Sequence, residues 1–442
     1  MMKFGNPRRR SAAAITALVA ASVALAACTP ADGGREADGP VTLDVWGWNP
    51  DEASAPGYFD KFEAENPDIK VNYRFIQASD YVNAVRLAAT TADGPDVFGL
   101  QVGVFPEQFA PLTLDLTPYL EDELGSDWAD KLNGSDQYNV DGKQVAAPWY
   151  MSSGGFMWVN MSVADELGLA VPTTLDELVA FNRAAEAIGK KGLVQGAKDG
   201  FANLDLFQIV ANQVEPGYFY SALAGDEDFD STEMIEALEA WQELFTSGAV
   251  QEGALGMTAY PDANDARITG QAAMIPFGSW QFRDATNARM AQYAETYGDE
   301  AIADTVFMPA DFPLVVEGGT PGSLFGGPDV GWAVSAQSDA KDAAARLVNW
   351  LTSSETGLSV LSDALRPPAL IGSSIDLSDV KTPEQAAAIE EFITRGESLV
   401  GPREVSNPDV KEALVTALSA VASGQLSPAD AAAQIQSAID AA

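Results

Sequence analysis

The sequence predicts an α/β protein built around a parallel sheet. Strand, helix, strand, helix and strand patterns follow one another between Val41 and Leu100 at the spacing of βαβ units. The later half of the chain reads mainly as capped, amphipathic helices. At 442 residues, with 47% hydrophobic and 20% charged residues, the chain fills two domains more readily than one.

Val41 to Trp46 alternates and is β-branched, a first strand broken by Gly47-Trp48-Asn49-Pro50. Pro56 to Glu65 has helical spacing and stops at Asn66-Pro67. Ile69 to Ile76 is a second strand, Tyr81 to Thr91 a second helix, and Val97 to Leu100 a short buried strand. In open α/β sheets ligands bind beyond the carboxyl ends of the strands, where Trp48, Asn49 and Gln101 fall. Asp141-Gly142 is a hairpin signal. Val145 to Val159 is apolar, aromatic and interrupted by glycine, and reads as extended chain passing between two bodies. Thr174-Leu-Asp-Glu177 is a capping box opening a helix over 175–188, and Asp230 to Glu233 caps another. Further helices are expected over 340–351, 408–423 and 427–441. Gly318-Gly319 and Gly326-Gly327 read as loop glycines.

Charge and missing residue types exclude much chemistry. There are 25 Lys+Arg against 64 Asp+Glu, a formal net charge of −39. Such a surface repels phosphate backbones, so no nucleic-acid partner is expected. Histidine is absent, which removes histidine-based nucleophilic and acid–base catalysis and most zinc or haem sites. Asp226, Asp228 and Asp230 have calcium-loop spacing, but Ser231 and Ala237 stand where that loop needs Gly and Glu, so a solvated loop and helix cap is expected. No cofactor and no metal site is expected. With 64 acids a carboxylate pair is always available, so a glycosidase signal carries almost no information.

The first 27 residues read as a signal peptide. Lys3 and Arg8 to Arg10 precede the uncharged, apolar run Ser11 to Ala27. Leu25-Ala-Ala-Cys28 resembles the bacterial lipobox, whose cysteine is lipidated after cleavage, and Cys28 is the one cysteine of the chain. The alternative is cleavage nearby with Cys28 incidental. Residues 28–40 are small, polar and rich in Gly and Pro, a flexible tether for a lipid-anchored protein at the outer face of a bacterial, Gram-positive cell membrane.

Trp46, Trp48, Trp149, Trp158, Trp280 and Trp332 lie in or beside short apolar segments near Gly, Pro, Ser or Asn, whereas Trp241 and Trp350 sit on amphipathic helices as core. Indole faces stack on the C–H faces of sugar rings while neighbouring amides, carboxylates and lysines bond the hydroxyls. For any one of these tryptophans, hydrophobic packing is the competing reading.

The order of twelve stretches, Leu43 to Trp46, Phe62 to Pro67, Gly94 to Val97, Leu116 to Leu120, Asp141 to Pro148, Trp158 to Asn160, Gly168 to Glu177, Gly270 to Met274, Gly278 to Trp280, Phe307 to Pro309, Ala344 to Gly357 and Ala420 to Asp430, carries a family resemblance. In that order the chain resembles the extracellular solute-binding proteins of ABC importers, the maltose-binding-protein-like sugar group. The resemblance implies a two-lobed periplasmic-binding-protein-like fold of type II, with hinge strands joining the lobes and the ligand cleft between them. One lobe would hold 41–149 plus 307–357 and the other 150–306 plus 358–442. It implies a non-enzymatic monomer that closes on a carbohydrate, an oligosaccharide, and delivers it to transmembrane permease subunits. The implied ligand-binding residues are Trp48, Asn49, Gln101, Tyr150, Ser153, Lys198, Asp199, Gly278, Trp280, Trp332 and Arg366. The chain departs from common members at Ser152 to Gly155 and at Trp158. A non-sugar ligand and a secreted carbohydrate-active enzyme are the open alternatives.

Overall fold

The computed structural model describes residues 40–91 and 94–442. The expected signal peptide, Cys28 and all of the expected tether but Pro40 lie outside the described residues. Among those described, no helix is long and apolar enough to cross a membrane.

The strands are β1 (Val41–Gly47), β2 (Ile69–Phe75), β3 (Val97–Leu100), β4 (Asn139–Val140), β5 (Lys143–Gln144), β6 (Ala147–Gly154), β7 (Phe156–Asn160), β8 (Lys191–Leu193), β9 (Ala272–Ile275), β10 (Phe307–Asp311) and β11 (Phe325–Val334). They form a five-stranded sheet in the order β2-β1-β3-β11-β6, a four-stranded sheet in the order β10-β7-β9-β8, and the small hairpin β4-β5. The hairpin turns on Asp141 and Gly142, both at positive φ, as its sequence predicts.

β1 runs parallel to β2 and β3, with Ala55–Glu65 and Ala78–Ala88 as the intervening helices. The expectation of a parallel sheet holds for this part and for the pair β8 and β9 of the other sheet. β11 is antiparallel to β3 and β6, and β7 is antiparallel to β9 and β10. The reason is connectivity: β11 reaches the first sheet on the chain's return from the other lobe and not through a crossover helix, whereas β6 runs in the direction of β3 and leaves the sheet for that lobe.

Strand parity explains how each sheet buries both faces. Leu43 and Val45 of β1 join one cluster with Trp149, Trp332 and Leu347, while Phe98 of β3 packs with Tyr81 and Tyr138 on the opposite side. In β7, Met157 and Val159 enter one core of the second lobe, and Phe156 and Trp158 enter another.

The long extended stretch is the crossing between lobes. β6 ends at Gly154, β7 starts at Phe156, and Gly155 between them has φ 111°. A Cβ on Gly155 would sit 2.4 Å from the Ser323 carbonyl oxygen, so both the backbone angle and the close approach require glycine. The chain returns between β10 and β11, and a third segment passes the same place, where the Gly326 amide donates to the Gly401 carbonyl and the Arg403 amide to the Gly326 carbonyl.

Sheet membership moves the expected lobe boundaries. Residues 150–154 belong to β6 of the first sheet, and β10, placed in the first lobe by the sequence, pairs with β7 of the second. Helix Glu355–Asp363 buries Val360 and Leu361 in the first lobe, and the Ala369 amide donates to the Trp149 carbonyl, so that lobe extends well past 357. Gly326 and Gly327 are strand residues in β11. Close contact explains this: a Cβ on Gly326 would lie 2.2 Å from the Ser152 carbonyl oxygen.

Helix Leu175–Ala187 is capped by Thr174, but Glu177 bonds Thr173 instead of closing the box on Thr174. Helix Thr232–Thr246 is capped by Ser231, one residue after the start of the expected signal. Helices Pro408–Ala422 and Pro428–Asp440 follow the sequence expectation closely.

Candidate functional site

A cavity of about 610 Å³ lies between the carboxyl end of β1 and β3 on one side and residues 198–201, 260–265 and 280–297 on the other. Trp48, Asn49, Gln101, Tyr150, Lys198, Asp199, Trp280 and Arg366 all line it. The structure thus brings together residues from both lobes that are far apart in sequence.

Three expected site residues stand elsewhere. Trp332 is fully buried and packs on Trp149 at 5.3 Å between ring centroids, because its position on β11 points it into the first lobe's core. Ser153 and Gly278 meet each other beside the hinge instead of lining the cavity. The Ser153 amide donates to Ser279 Oγ at 2.8 Å, and a Cβ on Gly278 would lie 2.1 Å from the Ser153 carbonyl oxygen. Gly278 also accepts from Trp158 Nε1 at 3.0 Å, which holds that indole in the core. Trp149 and Trp158 are fully buried too. Of the six tryptophans near element ends, Trp48 and Trp280 line the cavity.

These two rings come from opposite lobes. Trp48 follows β1 and meets Tyr81 edge-on at 4.7 Å. Trp280 is half-buried; its Nε1 donates to Tyr260 Oη at 3.0 Å, and the Arg403 guanidinium lies 4.2 Å over its ring. The indole is therefore fixed in orientation before any ligand arrives.

A buried polar chain links the lobes behind the cavity. Asn49 Nδ2 donates to Tyr150 Oη, which donates to Asp329 Oδ2 at 2.7 Å. Arg403 Nη1 donates to the other Asp329 oxygen at 3.2 Å, and its Nε and Nη2 clamp Asp205 at 2.9 and 2.8 Å. Asp205 lies on helix Gly200–Val214 of the second lobe, so one arginine joins β11 to that helix. Burial tends to raise the Glu404 carboxyl, but Lys411 at 2.8 Å and Arg403 beside it hold it below the usual carboxylate range.

At the other rim Asp51, after β1, bridges Arg283 at 3.0 Å and Arg289 at 2.9 Å. Burial pushes this carboxyl up, yet the two guanidiniums and the bonds from Ser54 pull it well below the usual range. Burial also pushes the Tyr150 and Tyr260 phenols up, so they stay protonated donors at neutral pH.

Sequence reasoning missed Asp51, Tyr260, Arg283, Arg289, Asp329 and Arg403. One signal was available for the arginines: in a chain with 25 basic and 64 acidic residues, an arginine in an apolar or aromatic segment is uncommon.

The geometry offers two aromatic platforms, amide and carboxylate groups and several guanidiniums around a cleft between lobes, with no nucleophile–base pair of histidine type. Among solved structures, one from work on xylan utilisation by the thermophilic bacterium Caldanaerobius polysaccharolyticus superposes with TM-score 0.74 at 22% identity, covering 90% of this chain and 99% of that one. The diacetylchitobiose binding protein DasA of Streptomyces coelicolor is 30% identical over 192 residues, and the xylose/arabinose-binding protein XacG of Haloferax volcanii 23% identical over 248. These matches cover 41% and 54% of this chain, and the chain spans about half the length of both relatives, 44% and 53%. The profile of the bacterial extracellular solute-binding proteins matches residues 46–357, most of the chain. With its two-lobed α/β fold and the cleft between the lobes, the chain belongs to the family of bacterial extracellular solute-binding proteins.

Proposed function

We propose that the protein is an extracellular receptor that captures a carbohydrate between its lobes and delivers it to the permease of an ABC importer. The observation that carries this reading is the pairing of Trp48 and Trp280, one from each lobe, on a single cavity whose other walls are rich in fixed hydrogen-bonding groups. Indole faces cover the apolar faces of a sugar ring and the polar groups meet its hydroxyls. The sugar-binding names of DasA and XacG support the same reading. Closure would place groups of both lobes on one ligand, so binding favours the conformation the permease engages.

In this reading the protein acts as a monomer without catalysis. It is held at the outer membrane face by lipid on Cys28, with residues 29–40 as the tether. A melt against a panel of sugars tests the binding reading, since a ligand at about 100 times its Kd adds roughly 2.7 kcal/mol of stability. The bound oligosaccharide should be recovered intact by chromatography; cleavage products would replace the receptor reading with an enzymatic one. For the anchor, Cys28→Ser should release the protein from the membrane fraction of a lipoprotein-competent Gram-positive host, and unchanged retention would refute the lipid.

A further inference from the structure

The cavity wall carries six cationic side chains, Lys198, Arg283, Arg289, Arg366, Arg403 and Lys411, against five carboxylates. The chain as a whole has 25 basic and 64 acidic residues. The excess of acid is thus reversed at this one place.

The buried cations there are almost all neutralised by protein. Arg283 and Arg289 share Asp51, Arg403 is held by Asp205 and Asp329, and Lys411 by Glu404. Arg366 differs. It is 4% exposed, its guanidinium lies 4.5 Å over the Tyr150 ring, and its Nη1 has no hydrogen-bond partner among the described residues. No carboxylate among the described residues lies within ion-pair distance of it, although it lines the cavity. A guanidinium always carries its charge, and a buried charge without a counter-ion is strongly unfavourable. The contact with Tyr150 restrains the group, and at Nη1 it keeps hydrogen-bonding capacity that no protein atom meets among the described residues.

We propose that the ligand is an acidic carbohydrate, a sugar bearing a carboxylate as in a uronic acid, and that Arg366 is the side chain that selects the carboxylate. This rests on the carbohydrate reading above. A planar carboxylate matches the fork of a guanidinium and brings the single negative charge that one unpaired cation calls for. Phosphate and sulfate esters share the anionic chemistry and are distinguished by the test. The acidic surface opposes approach of any anion from a distance, so selectivity is expected in the bound state and not in the encounter rate.

Isothermal titration of the purified protein would compare galacturonic and glucuronic acids and their short oligomers with the matching neutral sugars, and with galactose 6-phosphate and 6-sulfate. The expected result is an acidic sugar bound at least about tenfold more tightly than its neutral counterpart, a difference of about 1.4 kcal/mol. Raising NaCl from about 50 to about 500 mM should weaken only the acidic ligand. Arg366→Gln should bring the acidic-to-neutral ratio close to one, and Arg366→Lys should restore part of it. Should the Gln variant fail to fold, the salt contrast in the unaltered protein decides. A neutral sugar bound as tightly as its uronate, or an ester bound more tightly than the uronate, overturns the proposal and leaves the carbohydrate receptor intact. Failure of every sugar, acidic or neutral, overturns both.

Discussion

Asp51 and Arg283 form an ion pair of 3.0 Å that joins the loop after β1 in one lobe to the turn Ser279–Ala285 in the other. Arg289 completes the bridge at 2.9 Å, so one carboxylate ties two guanidiniums across the mouth of the cavity. Asp51→Asn should lower the melting temperature of the ligand-free protein, through loss of about 1.5–3 kcal/mol from charged hydrogen bonds. It should also loosen the contact between lobes, read as a larger radius of gyration by X-ray scattering. An unaltered radius and melt would show that the pair contributes nothing.

The same bridge sets an acid limit. The folded-state pKa of Asp51 is held below its ordinary value of 3.8, so its contribution is fully present above that value. As pH falls below about 4 toward the folded pKa, the unfolded chain binds the proton first and the contribution is lost. Melts at stepped pH should therefore show a steeper loss of stability below pH ~4 for the unaltered protein than for Asp51→Asn.

Trp280 and Trp332 should part company on substitution. Trp280→Ala should weaken sugar binding by roughly 1–3 kcal/mol, by analogy with aromatic stacking on bases. It also removes the bond to Tyr260 and the face under Arg403, so a modest loss of stability is expected, recovered in part by Trp280→Phe. Trp332→Ala should lose roughly 3–5 kcal/mol of stability with affinity unchanged in the folded fraction, because that ring touches core and not cavity. Calorimetry beside a melt separates the two.

Breaking the buried chain at Arg403 should be more damaging than any rim change. Arg403→Met leaves Asp205 and Asp329 as buried carboxylates without their cation, at a loss of about 3–5 kcal/mol. The double variant Arg403→Met with Asp205→Leu should recover part of that loss in a chemical denaturation series; no recovery would mean the charges are not coupled.

How much of this was legible in the sequence varies with how local the signal is. β1 to β3 and the helices between them each carry their own alternation, spacing and breakers, and they appear close to where those signals place them. Helix Gly200–Val214 carries no such signal, since it is buried nearly all round with Asn203, Asp205, Gln208 and Gln213 inside. What satisfies those polar groups is remote: Arg403 for Asp205, and the Pro313 carbonyl and Val315 amide for Gln213. Tryptophans near strand ends look alike in sequence. Trp332 lies on β11 with its ring on a side that the first lobe's core covers, whereas Trp280 lies in the short helical segment Ser279–Ala285 at the cavity, and both placements are decided by residues far along the chain. The pairing of Asp51 with Arg283 was hidden for the same reason.

The place of β11 has a consequence for how the chain is made. It lies between β3 and β6, so that place in the first sheet stays unfilled until residues 325–334 have been synthesised. A nascent chain or fragment that stops earlier shows two unpaired strand edges and lacks Trp332, one of the rings packed on Trp149, a hazard for aggregation. Completion of the first sheet is thereby postponed until residues 325–334 are available. It also means that cutting the gene at a lobe boundary cannot yield a first lobe that stands alone, since two separate stretches of sequence must meet before β3 and β6 have the strand between them.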